Sequence, residues 1–294
     1  MEQMPYYLPP EEGWKKHFEG LIPILILILI AIVLVGKTTN LFCTVPGFTD
    51  IFCAKGMITV GLLGNFGEDT DTQIKANLFK AVLDADGAKF NIQQGKIWAA
   101  GLEFPQEAAL AKYDVVIVAG NRDLTLAARQ ALGNYIANGG KVLLIGDAGV
   151  FDPKDNMIKG WTEGSFGDYS PIRLNIQGPI SGKQLPSVTI ADANMNYFDD
   201  TNPIVKYYAY QYQLNFSEVN RSECSTINTL DVFPLSGADI VGVLSNGDDS
   251  KSVPAIVEKK AGLFGNGDVV YFNFDPGCMR NAVIATMRYL AGKG

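Results

Sequence analysis

Fifteen consecutive apolar residues, Leu21 to Val35, constrain this chain more than any other feature of its sequence. As a helix they would span roughly 23 Å, and continuation through Gly36 and Lys37 to Phe42 would span roughly 33 Å, the thickness of a hydrocarbon core. The run has no polar face to turn towards water, so it does not suit a soluble amphipathic helix. We expect one transmembrane helix over 21–42, after a short tail (1–20) and before a stalk (43–56).

Two other interpretations of the apolar run remain open. A cleaved signal peptide would need a small-residue A-x-A site after the run, and none follows. A lipoprotein signal would need a small residue before Cys43, where the chain carries Phe42.

The cysteines indicate which side of the membrane the rest of the chain occupies. All four, Cys43, Cys53, Cys224 and Cys278, follow the apolar run, and an even number on one side fits an oxidising compartment. Two N-x-[ST] sequons, at Asn215 and Asn220, lie on the same side. We expect a single-pass protein of the cell membrane, with its amino terminus inside and a glycosylated large domain outside the cytoplasm.

The pairing of these cysteines has two interpretations. Cys43 and Cys53 bracket a short loop with a Pro-Gly turn, and a disulfide there would leave Cys224 and Cys278 as the second pair. The alternative is four buried thiols. A zinc site is a poorer match because the spacings contain no C-x₂₋₄-C element.

Composition excludes several function classes. The net charge of −7 disfavours a nucleic-acid-binding protein, because phosphate contacts need a basic surface. His17 is the single histidine of the chain, and it precedes the apolar run. Ser-His-Asp triads, Cys-His dyads and multi-histidine metal sites are therefore excluded unless His17 takes part.

Beyond the stalk, residues 57–294 alternate between strand and helix patterns. Continuous apolar runs such as Val115–Val118 are typical of parallel strands buried on both faces. Such alternation predicts an α/β fold with a doubly wound, flavodoxin-like, mostly parallel sheet. An insert over about 151–235, rich in Asn, Asp, Gly, Pro and Tyr, interrupts the pattern, and we expect short strands and irregular loops there. The expected strands are 57–63, 89–93, 114–120, 141–146 and 239–244, with an antiparallel pair at 255–260 and 268–274; the expected helices are 72–85, 105–112, 125–137 and 279–291.

Two stretches carry a family resemblance. YDVVIVAGNRDLTLAARQALGNYIANGGKVLLIGD (113–147) and GNGDVVYFNFDPG…NAVIATMRYLAG (265–292) resemble the class I glutamine amidotransferase-like superfamily, and within it the ThuA-like, non-catalytic branches. In catalytic members a Cys nucleophile follows the strand that matches 141–145, and a His-Glu pair comes late in the chain. Here the matching turn is Gly146-Asp147-Ala148-Gly149, and no His follows residue 17. The resemblance therefore implies the fold without the catalytic residues.

Two sets of residues are candidate binding sites. Asp147 ends a predicted strand, with Asp152 and Asp155 nearby, and the carboxyl ends of strands are where open α/β sheets bind ligands or cations. Solvated loop carboxylates are the alternative. A second candidate is an aromatic binding face made of Tyr208, Tyr210, Tyr212 and Trp161, for which a core or edge-strand role is the alternative.

The sequence thus favours a non-catalytic, membrane-anchored binding or scaffolding domain. It predicts contact with the lipid bilayer and protein partners in a membrane or envelope complex. It predicts no cofactor, and it leaves the oligomeric state open. A metal- or carboxylate-dependent enzyme of envelope carbohydrate is the first alternative. A pilin-like filament subunit, cleaved after Gly20, is the second.

Overall fold

A computed structural model describes residues 22–31, 58–63, 90–95, 107–120, 122–176, 180–181, 185–197, 202–206, 224–247, 250–261 and 267–292. The chain divides into two compact units, Met1–Gly56 and Met57–Gly294. The predicted helix over 72–85 lies outside the described residues, as do the whole of the tail and the whole of the stalk.

Residues 22–31 of the first unit form a helix, α1. Its large apolar side chains are about half exposed or more, from 49% at Ile28 to 69% at Leu27. No helix within the described part of the chain has the length and hydropathy that a membrane crossing needs.

An eight-stranded mixed sheet forms the centre of the second unit. Its strands are β1 (Ile58–Leu63), β2 (Phe90–Gly95), β3 (Val115–Val118), β4 (Lys141–Ile145), β10 (Asn194–Tyr197), β13 (Asp239–Ser245), β14 (Ser252–Ala261) and β15 (Gly267–Phe272). They lie in the order β10-β13-β14-β15-β4-β3-β1-β2.

Parallel pairing occupies one half of this sheet. Strands β2, β1, β3, β4 and β15 are mutually parallel, whereas β15, β14, β13 and β10 pair antiparallel. The α/β fold is confirmed, and so is the antiparallel pair β14–β15. The sheet has more antiparallel pairing than predicted, because β13 and β10 extend that pair into an antiparallel half.

Short strands form the insert, as its composition predicts. The strands are β5 (Phe151–Asp152), β6 (Met157–Ile158), β7 (Ile172–Leu174), β8 (Ile180–Ser181), β9 (Ser187–Ala191), β11 (Thr226–Leu230) and β12 (Val232–Pro234). Within the described residues of 151–235 they form three small sheets, with orders β5-β6-β8, β7-β12 and β9-β11, and the one helix is a single turn at 203–206, α4.

Two helices cover opposite faces of the sheet. Helix α3 (Leu126–Ala137) packs on the face that carries Val116, Val142 and Leu144, and α5 (Arg280–Leu290) packs on the face that carries Ile117 and Leu143. Alternate strand residues point to opposite faces, so each central strand contributes to both cores. A one-turn helix, α2 (Glu107–Leu110), precedes β3.

A buried arginine attaches the start of the insert to α3. Arg129 is 1% exposed, and its guanidinium donates to the carbonyl oxygens of Leu124 (3.2 Å), Gly160 (2.5 Å) and Gly149 (2.7 Å). Burial lowers the pKa of this guanidinium, and the charges of Asp152 and Glu163 oppose that shift. Arg129 is therefore a structural residue of the fold.

Two carboxylates are buried near the end of the sheet where its parallel strands begin. Glu258 accepts hydrogen bonds from the Asn202 amide (3.1 Å) and the Tyr289 hydroxyl. Asp268 is 9% exposed; burial raises its pKa to about 6, Lys141 opposes the shift and Glu258 adds to it. Ionisation of Asp268 therefore costs more free energy in the folded chain than in the unfolded chain.

The folded state should lose stability as the pH rises towards the raised pKa of Asp268. Between the ordinary pKa of 3.8 and about 6, the folded chain keeps a proton that the unfolded chain has released. By linkage, stability then falls as the pH rises through that window. We expect Asp268→Asn to raise the free energy of unfolding by about 2 kcal/mol at pH 7 and to flatten the pH dependence between 4 and 6.

Urea unfolding of the full-length chain at several pH values measures this effect. Asp239→Asn removes the same charge from an exposed position on β13 and serves as the matched control. An Asp268→Asn chain that is less stable than wild type at pH 7 would contradict the expectation.

Candidate functional site

A cavity of about 470 Å³ lies at the carboxyl ends of the parallel strands. The chain leaves β1 for β2 on one side and returns to β3 on the other. Such a reversal of strand order is where open α/β sheets bind ligands. Leu62 of β1, Ile117 of β3 and Ile145 of β4 form an apolar floor at this point.

The turn after β4 brings Asp147 to the cavity. Gly146 follows the strand with φ +58°, a left-handed conformation that favours glycine, and its N–H donates to the Phe272 carbonyl oxygen at 2.8 Å. The chain therefore bends sharply at the end of β4, and Asp147 lines the cavity. Its carboxylate forms an ion pair with Arg122 at 3.0 Å.

The turn after β15 places a second acidic side chain, Asp275, at the cavity. Phe274 and Asp275 line the cavity beside Asn273. Asp275 Oδ1 accepts a hydrogen bond from the Gly277 N–H at 3.0 Å and caps the 3-10 turn Pro276–Cys278. Asp275 is therefore held at the edge of the cavity by local backbone geometry.

A two-stranded sheet of the insert lines one side of the cavity. Strands β9 and β11 pair antiparallel, with Ile227 opposite Ile190 and Asn228 opposite Thr189. Ser187 of β9 and residues 226–230 of β11 line the cavity. We call this two-stranded sheet, residues 187–191 and 226–230, the roof.

Asn273 attaches the roof to the sheet. This side chain is 1% exposed; its Oδ1 accepts from the Leu230 N–H at 2.8 Å, and its Nδ2 donates to the Leu230 carbonyl at 2.9 Å. The same amide donates to the Pro254 carbonyl at 2.9 Å and accepts from the Tyr271 hydroxyl at 3.0 Å. One carboxamide thus joins β11 to β14 and β15.

A disulfide is the second attachment of the roof. Cys224, two residues before β11, is bonded to Cys278, which lines the cavity. The predicted Cys224–Cys278 pairing is therefore present. Cys43 and Cys53 lie outside the described residues.

The other acidic candidates belong to a separate ion-pair network. The Lys159 ammonium contacts Asp152 at 3.4 Å, Asp155 at 2.5 Å and Glu163 at 3.0 Å. Lys159 lowers the pKa of the exposed Asp155 through a hydrogen bond and its charge. Asp147 instead contacts Arg122. The structure does not join the three predicted aspartates into one site, and within its described ranges no three His, Cys, Asp or Glu residues form a metal-binding group.

Trp161 does not contribute to a binding surface; it takes the core position that the sequence offered as the alternative. It is fully buried, its indole N–H donates to the Ala148 carbonyl at 2.8 Å, and its ring packs against Tyr271 with centroids 5.5 Å apart. A large apolar ring with one satisfied polar group is typical of a core position. Tyr208, Tyr210, Tyr212, Asn215 and Asn220 lie outside the described residues.

Sequence reasoning missed most of the cavity. The expected strand 268–274 includes Asn273, no site is predicted at Asp275, and nothing in the pattern predicts that Thr226 and Asn228 line the same cavity. One signal was available. Polar residues directly after a buried strand lie at the same sheet edge as Asp147.

No protein-family model matches the chain, and the search of curated proteins also gave no match. Similar solved structures include a β-galactosidase from the Antarctic haloarchaeon Halorubrum lacusprofundi, with a TM-score of 0.51, 15% identity and coverage of 79% of this chain and 30% of the other. A cold-adapted β-galactosidase from Rahnella sp. R3 is similar at a TM-score of 0.50, with 11% identity and coverage of 79% and 31%. This chain spans less than a third of the length of those enzymes, and the likeness shows a shared fold alone.

Two smaller proteins are also similar in structure. A ThuA-like protein from Parabacteroides merdae has a TM-score of 0.47 and 13% identity, with coverage of 80% of this chain and 90% of that one. The glutaminase domain of Trypanosoma brucei CTP synthase has a TM-score of 0.45 and 13% identity, with coverage of 81% and 95%.

Truncation of Asn273 should destabilise the fold. Asn273→Ala leaves the buried N–H and carbonyl of Leu230 without their partner, and each unsatisfied group carries a desolvation penalty. We expect a loss of about 3 kcal/mol in the free energy of unfolding, measured by urea titration of the full-length chain.

Asn246→Ala is the matched control for that measurement. Asn246 forms two exposed hydrogen bonds, with Ser250 and with the Lys251 N–H, so its loss should cost less than about 1 kcal/mol. Equal losses in the two variants would show that the buried carboxamide has no special role.

Proposed function

We propose that this protein is a membrane-anchored, extracytoplasmic domain that binds a small ligand without transforming it. The observation that supports the proposal most strongly is the cavity of about 470 Å³ at the carboxyl ends of β1, β3, β4 and β15. Its volume lies within the range of small-molecule sites, and its mixture of an apolar floor with a few polar groups is typical of them. The disulfide and Asn273 attach the roof over it.

The chemistry of the lining favours binding over catalysis. Nucleophilic catalysis of the amidotransferase type needs a thiolate and a base beside it. The cysteine that lines the cavity, Cys278, is in a disulfide, and the turn after β4 carries Gly146 and Asp147. The only histidine of the chain is His17. We therefore infer that this chain belongs to a non-catalytic branch of the class I glutamine amidotransferase-like superfamily, as the sequence resemblance implies.

Two observations support the anchor and the orientation. Helix α1 exposes apolar side chains along its whole described length, and these need lipid or protein to cover them. A disulfide between Cys224 and Cys278 persists in an oxidising compartment and is rare in the cytosol. We infer that α1 is part of a membrane-spanning segment and that the second unit lies outside the cytoplasm, where it works with protein partners.

Filling the cavity should abolish ligand binding. Ala119 follows β3, lines the cavity and is half-buried, so Ala119→Trp would place an indole in the ligand volume. We expect fragments that bind the wild-type chain in ligand-observed NMR to lose binding by about tenfold or more in this variant, since several buried contacts are displaced.

The control for this experiment is Leu126→Trp. Leu126 is 57% exposed at the start of α3 and is not a lining residue, so a tryptophan there adds the same ring elsewhere. Fragments that bind both variants as they bind wild type would place binding outside the cavity and count against the proposal.

Charges in α1 should release the protein from membranes. An arginine at the centre of a spanning helix costs about 3 kcal/mol on insertion scales, so Ile26→Arg combined with Leu29→Arg should move the chain to the soluble fraction. The Ile26→Ala and Leu29→Ala pair should remain in the membrane. Wild-type protein in the soluble fraction would contradict the anchor, and a domain shielded from external protease in intact cells would contradict the orientation.

A further inference from the structure

The charged side chains of the cavity all have one sign. Asp147 and Asp275 line it, and no Lys, Arg or His is among the described lining residues. Arg122 pairs with Asp147 but is not a lining residue. The Asp147 charge also reaches the core behind the cavity: burial raises the pKa of the Tyr271 hydroxyl well above its usual value, and Asp147 adds to that shift. Because Arg122 offsets the charge of Asp147, an anionic ligand would mainly meet the negative charge of Asp275, in a site partly shielded from water.

The remaining walls select against a ligand that is polar on every side. Leu62, Ile117 and Ile145 form the floor, and Phe274 stacks on Phe272 with ring centroids 4.9 Å apart. Hydroxyl groups pressed against these side chains would lose water without gaining a partner. Each methylene buried there would instead contribute about 0.8 kcal/mol.

Two of the polar side chains that line the cavity are already engaged in hydrogen bonds within the protein. Asn273 has donors and acceptors already engaged with Leu230 and Pro254, and the Thr229 hydroxyl donates to the Val188 carbonyl at 2.8 Å. Carboxylates, by contrast, accept several hydrogen bonds at once, so Asp275 can accept from a ligand while it caps Gly277. The charged groups available for recognition are thus Asp147 and Asp275, beside the neutral polar side chains of Ser187, Thr226 and Asn228 on the roof.

From these features, and resting on the proposed function, we propose that the cavity binds an organic ammonium ion with a compact apolar body. The apolar body lies on the floor made by Leu62, Ile117 and Ile145, and the ammonium group donates hydrogen bonds to Asp275 and Asp147. Sugar phosphates, carboxylates and other small anions are excluded from the site.

Three molecules of one shape test the ligand class. Cyclohexylammonium, cyclohexanol and cyclohexanecarboxylate share a ring and differ in charge. Their affinities for the full-length chain in zwitterionic detergent can be ranked by ligand-observed NMR at pH 7. We expect the ammonium to bind about tenfold more tightly than the alcohol, since hydrogen bonds to charged groups are worth more than neutral ones, and the carboxylate to bind most weakly.

Asp275→Asn tests the residue that the proposal makes central. Asparagine still caps Gly277 through its side-chain oxygen, so the local turn is kept while the charge is removed. The preference for the ammonium over the alcohol should fall about tenfold in this variant. Asp155→Asn removes the same charge from the Lys159 network and should leave the preference unchanged. Thermal unfolding of each variant verifies that the fold is kept. The same preference measured in Asp147→Asn tests the second carboxylate independently.

The outcomes separate this inference from the proposed function. Alcohol or carboxylate binding as tightly as the ammonium, with all three lost in Ala119→Trp, would overturn the ligand class and leave the binding cavity in place. An ammonium preference that survives both Asp275→Asn and Asp147→Asn would overturn the assignment of the carboxylates. Binding by none of the three would overturn the inference, and the fragment comparison with Ala119→Trp would then decide whether the binding cavity itself fails.

Discussion

One buried carboxamide holds the site together. Asn273 directly follows β15, and its side chain forms hydrogen bonds with both backbone polar groups of Leu230 and with the Pro254 carbonyl. The insert is made of small two- and three-stranded sheets, which are marginal on their own. By pairing with the last residue of β11, Asn273 gives one of these sheets a fixed position above the ends of the parallel strands.

The disulfide complements this interaction at the other end of the same strand. Cys224 precedes β11 and Cys278 follows β15, so the roof is attached at both ends of β11 to one short segment, 273–278. In a chain-entropy estimate, the disulfide between Cys224 and Cys278 stabilises the fold by about 4 kcal/mol, because it restricts the unfolded chain. We expect a cavity beneath a doubly attached roof to stay formed without a ligand, which would lower the ordering cost of the proposed binding.

The central sheet was largely predictable from the sequence, whereas the site was not. Apolar runs such as Val115–Val118 and the caps of α3 are local signals, and they predict β3 and α3 within a residue or two. The roof depends on contacts between Leu230 and Asn273, 43 residues apart, which no local pattern reports. Trp161 shows the same limit: the sequence leaves a binding face and a core position both open, and its partners Ala148 and Tyr271 place it in the core. Asp147 was identified because strand ends are a topological signal that the sequence does carry.

Hydrogen exchange of the roof tests the account most directly. If Asn273 and the Cys224–Cys278 disulfide hold the roof in place, the amides of 226–230 in the oxidised full-length chain should exchange nearly as slowly as those of β15. In the Cys224→Ser and Cys278→Ser double variant, protection should fall in the roof and stay high in β15. Roof amides that exchange at the rate of an unstructured peptide in the oxidised chain would contradict the account, because the cavity would then have no fixed cover.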